Sequence, residues 1–278
     1  MLIHRVHSFG CQLGDINLAN LSTLESKELK RLLNKYQLII IKNQSLSLIQ
    51  QTELTRKLGE IELAWEDKHP ESDYVQYLSN RKRTYPSFKS SSKYWHSDRS
   101  FCKTPSRYTF LQAIEISTGS ASTNFCDMRS AYTTLPCNIK SLCNELTAVH
   151  AFDYKFPEIM RRKGFSESII QKHLKMYSDV IHPLVKKNKD FNYKALYLNE
   201  LTICKIVELN YKESRKLLNL LYCHSLLNSD FQYNHHWDKG DFLIWDNESL
   251  IHRASRKSSN GARELFRTTT SSMNSDMK

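Results

Sequence analysis

Two histidines and one aspartate have the residue types and the spacing that a metal centre needs. His96 and Asp98 are two positions apart, and His252 follows much later in the chain. In an extended strand, residues two apart project from the same face, so both side chains can reach one ion. Two imidazoles and one carboxylate on one side of an octahedral ion are typical of non-haem Fe(II) oxygenases, because they leave positions open for other ligands.

A second His-x-Asp pattern competes for the same interpretation. His236 and Asp238 have the same spacing, but they run into Gly240, which is typical of a turn between two strands. We expect residues 231–237 and 241–245 to form a hairpin across that turn. The metal is therefore expected at the earlier pair.

Two arginines follow the distal histidine. Arg263 and Arg267 are four positions apart in a short strand-like run, so both guanidinium groups can point to the face that His252 lines. The planar guanidinium group binds a carboxylate or a sulfonate through two hydrogen bonds. The pair indicates a site for two anions beside the metal, although without the metal ligands two surface arginines would be the simpler interpretation.

These motifs resemble the taurine dioxygenase-like (TauD/TfdA) family of Fe(II)/2-oxoglutarate-dependent dioxygenases. The resemblance extends over most of the chain. It is carried by the segments 57–60, 95–98, 119–123, 195–200 and 240–247, together with His252, Arg263 and Arg267.

The resemblance implies a metal site and a cosubstrate site. His96, Asp98 and His252 would bind Fe(II) and form the catalytic centre. Thr123 and Arg263 would bind the distal carboxylate of the cosubstrate 2-oxoglutarate. Dioxygen would be the second cosubstrate.

The resemblance also implies where the prime substrate binds. Arg267 would face its acidic group, and Phe152 and Tyr197 would line its pocket. Taurine dioxygenases carry a sulfonate-binding histidine just after a Gly-Glu pair, and this chain has none there, so taurine itself is not expected. Glu62 or Glu66, in the same segment, could instead meet an amine.

The expected reaction is the oxidation of an acidic small molecule or an amino-acid-like precursor of a natural product. Hydroxylation is favoured because Asp98 is present, whereas the related halogenases have a small residue at that position. Desaturation and cyclisation remain alternatives, because they depend on where the substrate C–H bond lies. Two further alternatives are a nucleic-acid dealkylase and a cupin-like protein that binds metal without catalysis.

The order of strands and helices predicts a mixed α/β protein with a mainly β core. Many short strand-like segments accompany amphipathic helices, of which the clearest are at 24–36, 47–58 and 212–227. This combination favours a double-stranded β-helix, the jelly-roll barrel of cupins, with flanking helices. Length and composition favour one dioxygenase domain over residues 1–278.

The positive charge is concentrated in one part of the chain. The formal net charge is +11, and residues 154–194 contain ten Lys or Arg against four Asp or Glu, which is more than half of the excess. This span predicts a basic lid or insertion that attracts an acidic substrate. A solvated lysine-rich surface would explain the charge equally well. Nucleic acid is not favoured as a partner, because no nucleic-acid-binding motif accompanies the charge.

Two segments are expected to lack regular structure. Residues 67–93 are polar and contain Pro and a run of Ser, which predicts a long loop entering the site. Residues 271–278 predict a flexible tail.

The cysteines and the apolar segments indicate the compartment. The seven cysteines are odd in number and form no Cys-x-x-Cys pair, which favours reduced thiols. No apolar run is long enough to span a membrane, and the first residues do not resemble a signal peptide. We therefore expect a cytoplasmic protein without a membrane partner, and a homo-oligomer is left open.

Overall fold

The computed structural model describes residues 2–80, 93–117, 122–188, 191–255 and 262–272. The α-helices in these ranges are α1 (Thr23–Tyr36), α2 (Leu48–Leu58), α3 (Met128–Thr133), α4 (Cys137–Glu145), α5 (Phe156–Arg162), α6 (Glu167–Met176) and α7 (Tyr211–Leu226). Two short 3₁₀ helices are present as well, at Leu18–Asn20 and Ser229–Phe231. No helix within the described ranges is long and apolar enough to cross a membrane.

The strands are mostly short, as the sequence predicts. They are β1 (Leu2–His7), β2 (Gly10–Gly14), β3 (Leu38–Ile41), β4 (Gln76–Ser79), β5 (Ser106–Ile116), β6 (Thr123–Asp127), β7 (Thr147–His150), β8 (Val180–Pro183), β9 (Val185–Asn188), β10 (Tyr193–Leu196), β11 (Ile203–Ile206), β12 (Gln232–His235), β13 (Phe242–Asp246), β14 (Leu250–Ala254) and β15 (Arg263–Ser271).

Local signals determine where the main helices begin. Ser47 precedes α2, and its hydroxyl accepts a hydrogen bond from the backbone N–H of Gln50, whose side chain bonds back to the N–H of Ser47. This capping box satisfies two N–H groups that the first helical turn leaves without partners. Capping boxes also begin α1 and α7. The three helices lie within a residue or two of their expected positions.

A seven-stranded sheet forms the larger layer of the core. Its strand order is β1-β2-β3-β13-β5-β15-β4, and all pairs are antiparallel except β2 with β3. The four residues of β3 are all buried, as are the five of β13. Strands buried on both faces are apolar throughout rather than alternating. Helices α1 and α2 pack on one face of this sheet, through Leu29, Leu32, Leu33, Leu54 and Leu58.

A three-stranded antiparallel sheet, β12-β6-β14, faces the large one. Phe125 in β6 pairs with His252 in β14, and the Phe125 side chain contacts Trp245 of the large sheet. Two further small sheets, β11-β7-β8 and β10-β9, complete the β structure of the described residues. The site described below lies between the large sheet and the β12-β6-β14 sheet.

The structure corrects the expected hairpin. Strands β12 and β13 do not pair with each other, because β12 pairs with β6 in the small sheet and β13 pairs with β3 and β5 in the large one. The intervening turn carries the chain from one sheet to the other. Gly240 in that turn has a φ of +83°, a conformation that other residues rarely adopt. The sequence predicted both strands but could not identify their partners.

The described parts of the expected loop and of the expected tail contain regular structure. Strand β4 lies inside the segment 67–93, where it pairs with β15, while residues 81–92 lie outside the described ranges. Ser271 belongs to β15, and the N–H of Ser272 donates to the carbonyl of Pro105. The remainder of the tail, residues 273–278, lies outside the described ranges.

A buried ion-pair network fixes the end of β13. Asp246 is fully buried, and its Oδ2 accepts hydrogen bonds from Arg107, Arg129, Tyr193 and Ser249 at 2.8–3.3 Å. Removing one partner of a buried pair leaves the other charges without compensation, which is expensive in a low-dielectric interior. The network joins β5, α3 and β10 to the strand that leads into the site.

We therefore expect Asp246→Ala to lower the free energy of unfolding by about 3–5 kcal/mol. Urea denaturation followed by circular dichroism measures the change. Asp179→Ala removes an exposed carboxylate and should change the same free energy by less than about 0.5 kcal/mol. Equal effects of the two substitutions would show that the network adds nothing to stability.

Candidate active site

Backbone pairing brings the two distant histidines together. The N–H of His96 donates to the carbonyl of His252 at 3.0 Å, and the N–H of His252 donates back at 2.8 Å. The two rings lie 4.3 Å apart between centroids. His96 makes only this single pairing, and Asp98 lies in the turn that follows, so the expected strand is reduced to one residue.

The two carboxylate oxygens of Asp98 have different neighbours. Oδ2 accepts a hydrogen bond from Thr109 at 2.5 Å and lies 2.6 Å from Nη2 of Arg267. Oδ1 lies 3.8 Å from Nε2 of His96 and 3.7 Å from Nε2 of His252. Oδ2 is therefore fixed by the protein, and Oδ1 is left facing the two imidazoles.

The three side chains can hold one metal ion. One donor atom from each of His96, Asp98 and His252 lies within 4.8 Å of the others. Atoms 3.7–3.8 Å apart can both lie about 2 Å from a common point, which is the usual length of a bond between a metal and nitrogen or oxygen. The donor set of two imidazoles and one carboxylate fits Fe(II).

The protonation states also suit metal binding. Burial lowers the pKa of His96 and lowers that of His252 well below its ordinary value, so both rings are neutral at pH 7. Nδ1 of His96 lies 2.7 Å from the carbonyl of Tyr94, a contact that favours the proton on Nδ1 and a lone pair on Nε2. Burial alone would raise the pKa of Asp98, but the Arg267 guanidinium holds it well below its usual range.

Asn247 holds the segment that contains Ser97 and Asp98 in place. This role was not predicted from the sequence. Nδ2 of Asn247 donates to Oγ1 of Thr109, and its Oδ1 accepts from the N–H of Asp98 and from Nε1 of Trp245. Its carbonyl accepts from the hydroxyl of Ser97. Thr109 therefore orients the carboxylate of Asp98 through a direct hydrogen bond, and Asn247 in turn orients Thr109.

A cavity of about 180 Å³ opens beside the three side chains. Besides the metal-binding residues and both predicted arginines, its wall includes Trp65, Glu66, Asp67, Arg99, Phe101, Thr123, Phe156, Asn199, Leu201, Thr202 and Trp245. Of these residues, Glu66 was predicted to be able to meet an amine of the substrate, whereas Trp65, Asp67, Phe101 and Phe156 were not predicted. Such residues could have been found only from their neighbours in space, because they lie in separate segments of the chain.

The two residues predicted to bind 2-oxoglutarate lie together in this wall. Burial lowers the pKa of Arg263 to about 10, and no carboxylate of the described residues pairs with its guanidinium. Its Nε is shielded from solvent without a hydrogen-bond partner in those ranges. Nε1 of Trp237 donates to Oγ1 of Thr123 at 3.0 Å, which leaves the Thr123 hydroxyl hydrogen free to donate elsewhere. The guanidinium of Arg263 and the hydroxyl of Thr123 are therefore both able to bind an anion.

Arg267 lies in the same wall, but part of its bonding capacity is already used. Nη2 contacts Asp98, and Nη1 donates to Oε1 of Gln76 at 2.9 Å. Arg267 therefore orients the metal-binding carboxylate as well as facing the cavity.

Three other residues predicted for the substrate, Glu62, Phe152 and Tyr197, lie outside the described wall of the cavity. The carboxylate of Glu62 accepts hydrogen bonds from Arg99 and Ser106, so it is already paired. Phe152 is fully buried and stacks on Phe156 at 4.5 Å, one layer behind the wall. Tyr197 is buried and stacks on His150. Packing and pairing, rather than direct contact with the cavity, account for these three positions.

Comparisons with known proteins agree with this geometry. The family model for the taurine catabolism dioxygenase TauD, TfdA family matches residues 4–269. The α-ketoglutarate-dependent 2,4-dichlorophenoxyacetate dioxygenase of Cupriavidus pinatubonensis is 29% identical in an alignment that covers 94% of each chain. The α-ketoglutarate-dependent sulfonate dioxygenase of Saccharomyces cerevisiae is 28% identical in an alignment that covers 88% of this chain and 60% of the yeast protein.

A solved structure extends the comparison to the fold. The protein AAD-2, in complex with Mn(II) and N-oxalylglycine, is 25% identical, with a TM-score of 0.80 and coverage of 98% of both chains. The predictions of the family, of the enzyme class and of the cofactors Fe(II), 2-oxoglutarate and dioxygen are thereby confirmed. The chain belongs to the TauD/TfdA family and is an Fe(II)/2-oxoglutarate-dependent dioxygenase.

Proposed function

We propose that this dioxygenase hydroxylates an acidic small molecule, with Fe(II) bound by His96, Asp98 and His252. The observation that carries the proposal is the convergence of these three donors beside Arg263, a cation without a carboxylate partner in the described ranges. A protein that only stored metal would have no use for such a cation. The named relatives act on an aryloxyacetate and on sulfonates, which are both acids.

Arg263 and Thr123 would bind the distal carboxylate of 2-oxoglutarate. The guanidinium supplies a charge that burial leaves unsatisfied, and the hydroxyl supplies one hydrogen bond. Bound iron and 2-oxoglutarate supply dioxygen-dependent oxidation, in which the cosubstrate is decarboxylated to succinate. The chain itself places the reactants and excludes water.

The substrate would lie on the other side of the cavity. The remaining N–H groups of Arg267 would bind its acidic group, while Trp65, Phe101 and Phe156 cover its apolar part. Hydroxylation is favoured over halogenation because Asp98 occupies the third ligand position. Desaturation or cyclisation would require a different placement of the substrate C–H bond.

Other features of the protein follow from the same proposal. The large sheet and the β12-β6-β14 sheet would be the two halves of a double-stranded β-helix within one domain. The basic span 154–194 would act as a lid, because its helix α5 contributes Phe156 to the cavity wall. The cytoplasm would suit the seven unpaired cysteines, since a reducing compartment maintains free thiols.

The proposed reaction is tested by a product assay. Candidate acids are incubated with the Fe(II)-loaded enzyme, 2-oxoglutarate and dioxygen, and succinate is measured together with the mass of the product. Hydroxylation predicts one succinate and a gain of one oxygen atom per substrate consumed. A loss of two hydrogen atoms instead would identify desaturation or ring closure.

Thr109→Val should weaken metal binding by about 10- to 100-fold, because Asp98 loses the hydrogen bond that orients it. Titration of the cosubstrate-free protein with Mn(II), followed by calorimetry, measures this. Thr123→Val is the matched control, since it makes the same change within the cosubstrate site. It should leave Mn(II) affinity unchanged, and similar losses in both variants would contradict the roles assigned here.

Arg263→Leu should weaken 2-oxoglutarate binding to the Mn(II)-loaded protein by at least about tenfold, because charge-assisted hydrogen bonds are lost. Arg267→Leu should impair turnover of the prime substrate far more than it impairs the slow decay of 2-oxoglutarate without substrate. Calorimetry and succinate release separate the two effects. If both variants lost cosubstrate binding equally, the separate roles of the two arginines would be disproved.

A further inference from the structure

Glu66 is a carboxyl group in the cavity wall for which the proposed reaction has no use. Its Oε2 is shielded from solvent and has no hydrogen-bond partner in the described part of the chain. A polar atom in that position costs free energy unless a ligand satisfies it. Glu66 therefore indicates a ligand group that can donate a hydrogen bond.

Gln76 fixes the place of Glu66 relative to the substrate arginine. Nε2 of the Gln76 amide donates to the carbonyl of Glu66 at 3.1 Å, and its Oε1 accepts from Arg267 at 2.9 Å. The segment is tied down further by the N–H of Tyr77, which donates to the carbonyl of Asp67. One buried side chain thus links the backbone of Glu66 to the guanidinium of Arg267.

The charges around Glu66 favour a cation as the missing ligand. Burial and the neighbouring Asp67 raise the pKa of Glu66 to about 8, so the ionised form is disfavoured until a positive charge arrives. Arg267 also acts on Glu66, but it is already paired with Asp98. Asp67 adds a like charge beside Glu66, which disfavours a second acid at this point.

The remainder of the wall suits an apolar or aromatic body. Trp65 and Phe101 pack edge to face with ring centroids 5.5 Å apart, and Phe101 contacts Phe156 at 5.5 Å. All three line the cavity on the side of Glu66. Aromatic faces also attract a nearby ammonium group, which strengthens the preference for a cation.

We propose that Glu66 is the specificity-determining residue for the prime substrate and that it binds a protonated amino group. The substrate is then an amino acid, with its carboxylate on Arg267, its ammonium on Glu66 and its body against the three aromatic rings. This inference rests on the proposed function, because it assumes that Arg267 binds the substrate acid.

Matched probes that differ only in the amino group test the proposal. Phenylalanine and 3-phenylpropionate form one pair, and leucine and 4-methylpentanoate form the other. Each is titrated calorimetrically into the full chain loaded with Mn(II) and N-oxalylglycine, which cannot turn over. The wild type should bind at least one amino compound about 10- to 100-fold more tightly than its partner, the usual range for a charged hydrogen bond. Glu66→Gln should abolish that preference.

The controls separate this proposal from the one it rests on. Glu71→Gln removes an exposed carboxylate from the same segment and should keep the preference for the amino compound. Unchanged affinity of Glu66→Gln for N-oxalylglycine shows that the site remains folded. Failure of the wild type to bind N-oxalylglycine would overturn the proposed function itself. If N-oxalylglycine binds but the amino compounds have no advantage in either pair, or keep it in Glu66→Gln, only the role of Glu66 is overturned.

Discussion

Two backbone hydrogen bonds between His96 and His252 are the constraint on which the site depends. They join segments that are far apart in sequence and place both imidazoles on one side of Asp98. Backbone groups near the centre of a protein must find partners, so this pairing is stable in its own right. The proposed metal ligands therefore approach each other because the chain satisfies its own hydrogen bonds, before any ion contributes binding energy.

The two facing sheets contribute different side chains to the site. The small sheet supplies His252 and Thr123 from adjacent strands, and the large sheet supplies Arg263 and Arg267 from one strand. Asp98 connects the two halves, because one of its oxygens faces the imidazoles while the other contacts Arg267. These contacts restrict the conformational freedom of Asp98, of the two imidazoles and of Arg267. Preorganisation of this kind is what a catalytic site requires.

The sequence predicted those features that depend on the type of one side chain and on its spacing from the next. The metal ligands and the two arginines could be predicted because residue type and spacing decide both. Capping residues likewise located α2. The pairing of Glu62 could not be predicted, because its partners Arg99 and Ser106 are distant in sequence and no local pattern shows that a carboxylate is already paired. Strand partners failed for the same reason at β12 and β13.

Most of the proposed substrate side of the cavity comes from segments that carry none of the proposed metal ligands. Trp65 and Glu66 lie on a connecting segment and Phe156 lies on α5, whereas His96, His252 and Arg263 are held by backbone pairing. Phe101 is the exception, because it lies in the same turn as Asp98. Loops tolerate sequence change better than the strands they connect. Substitutions in these segments could therefore change the substrate specificity while the oxidation chemistry is retained. Relatives that share one reaction can then differ widely in the substrates that they oxidise.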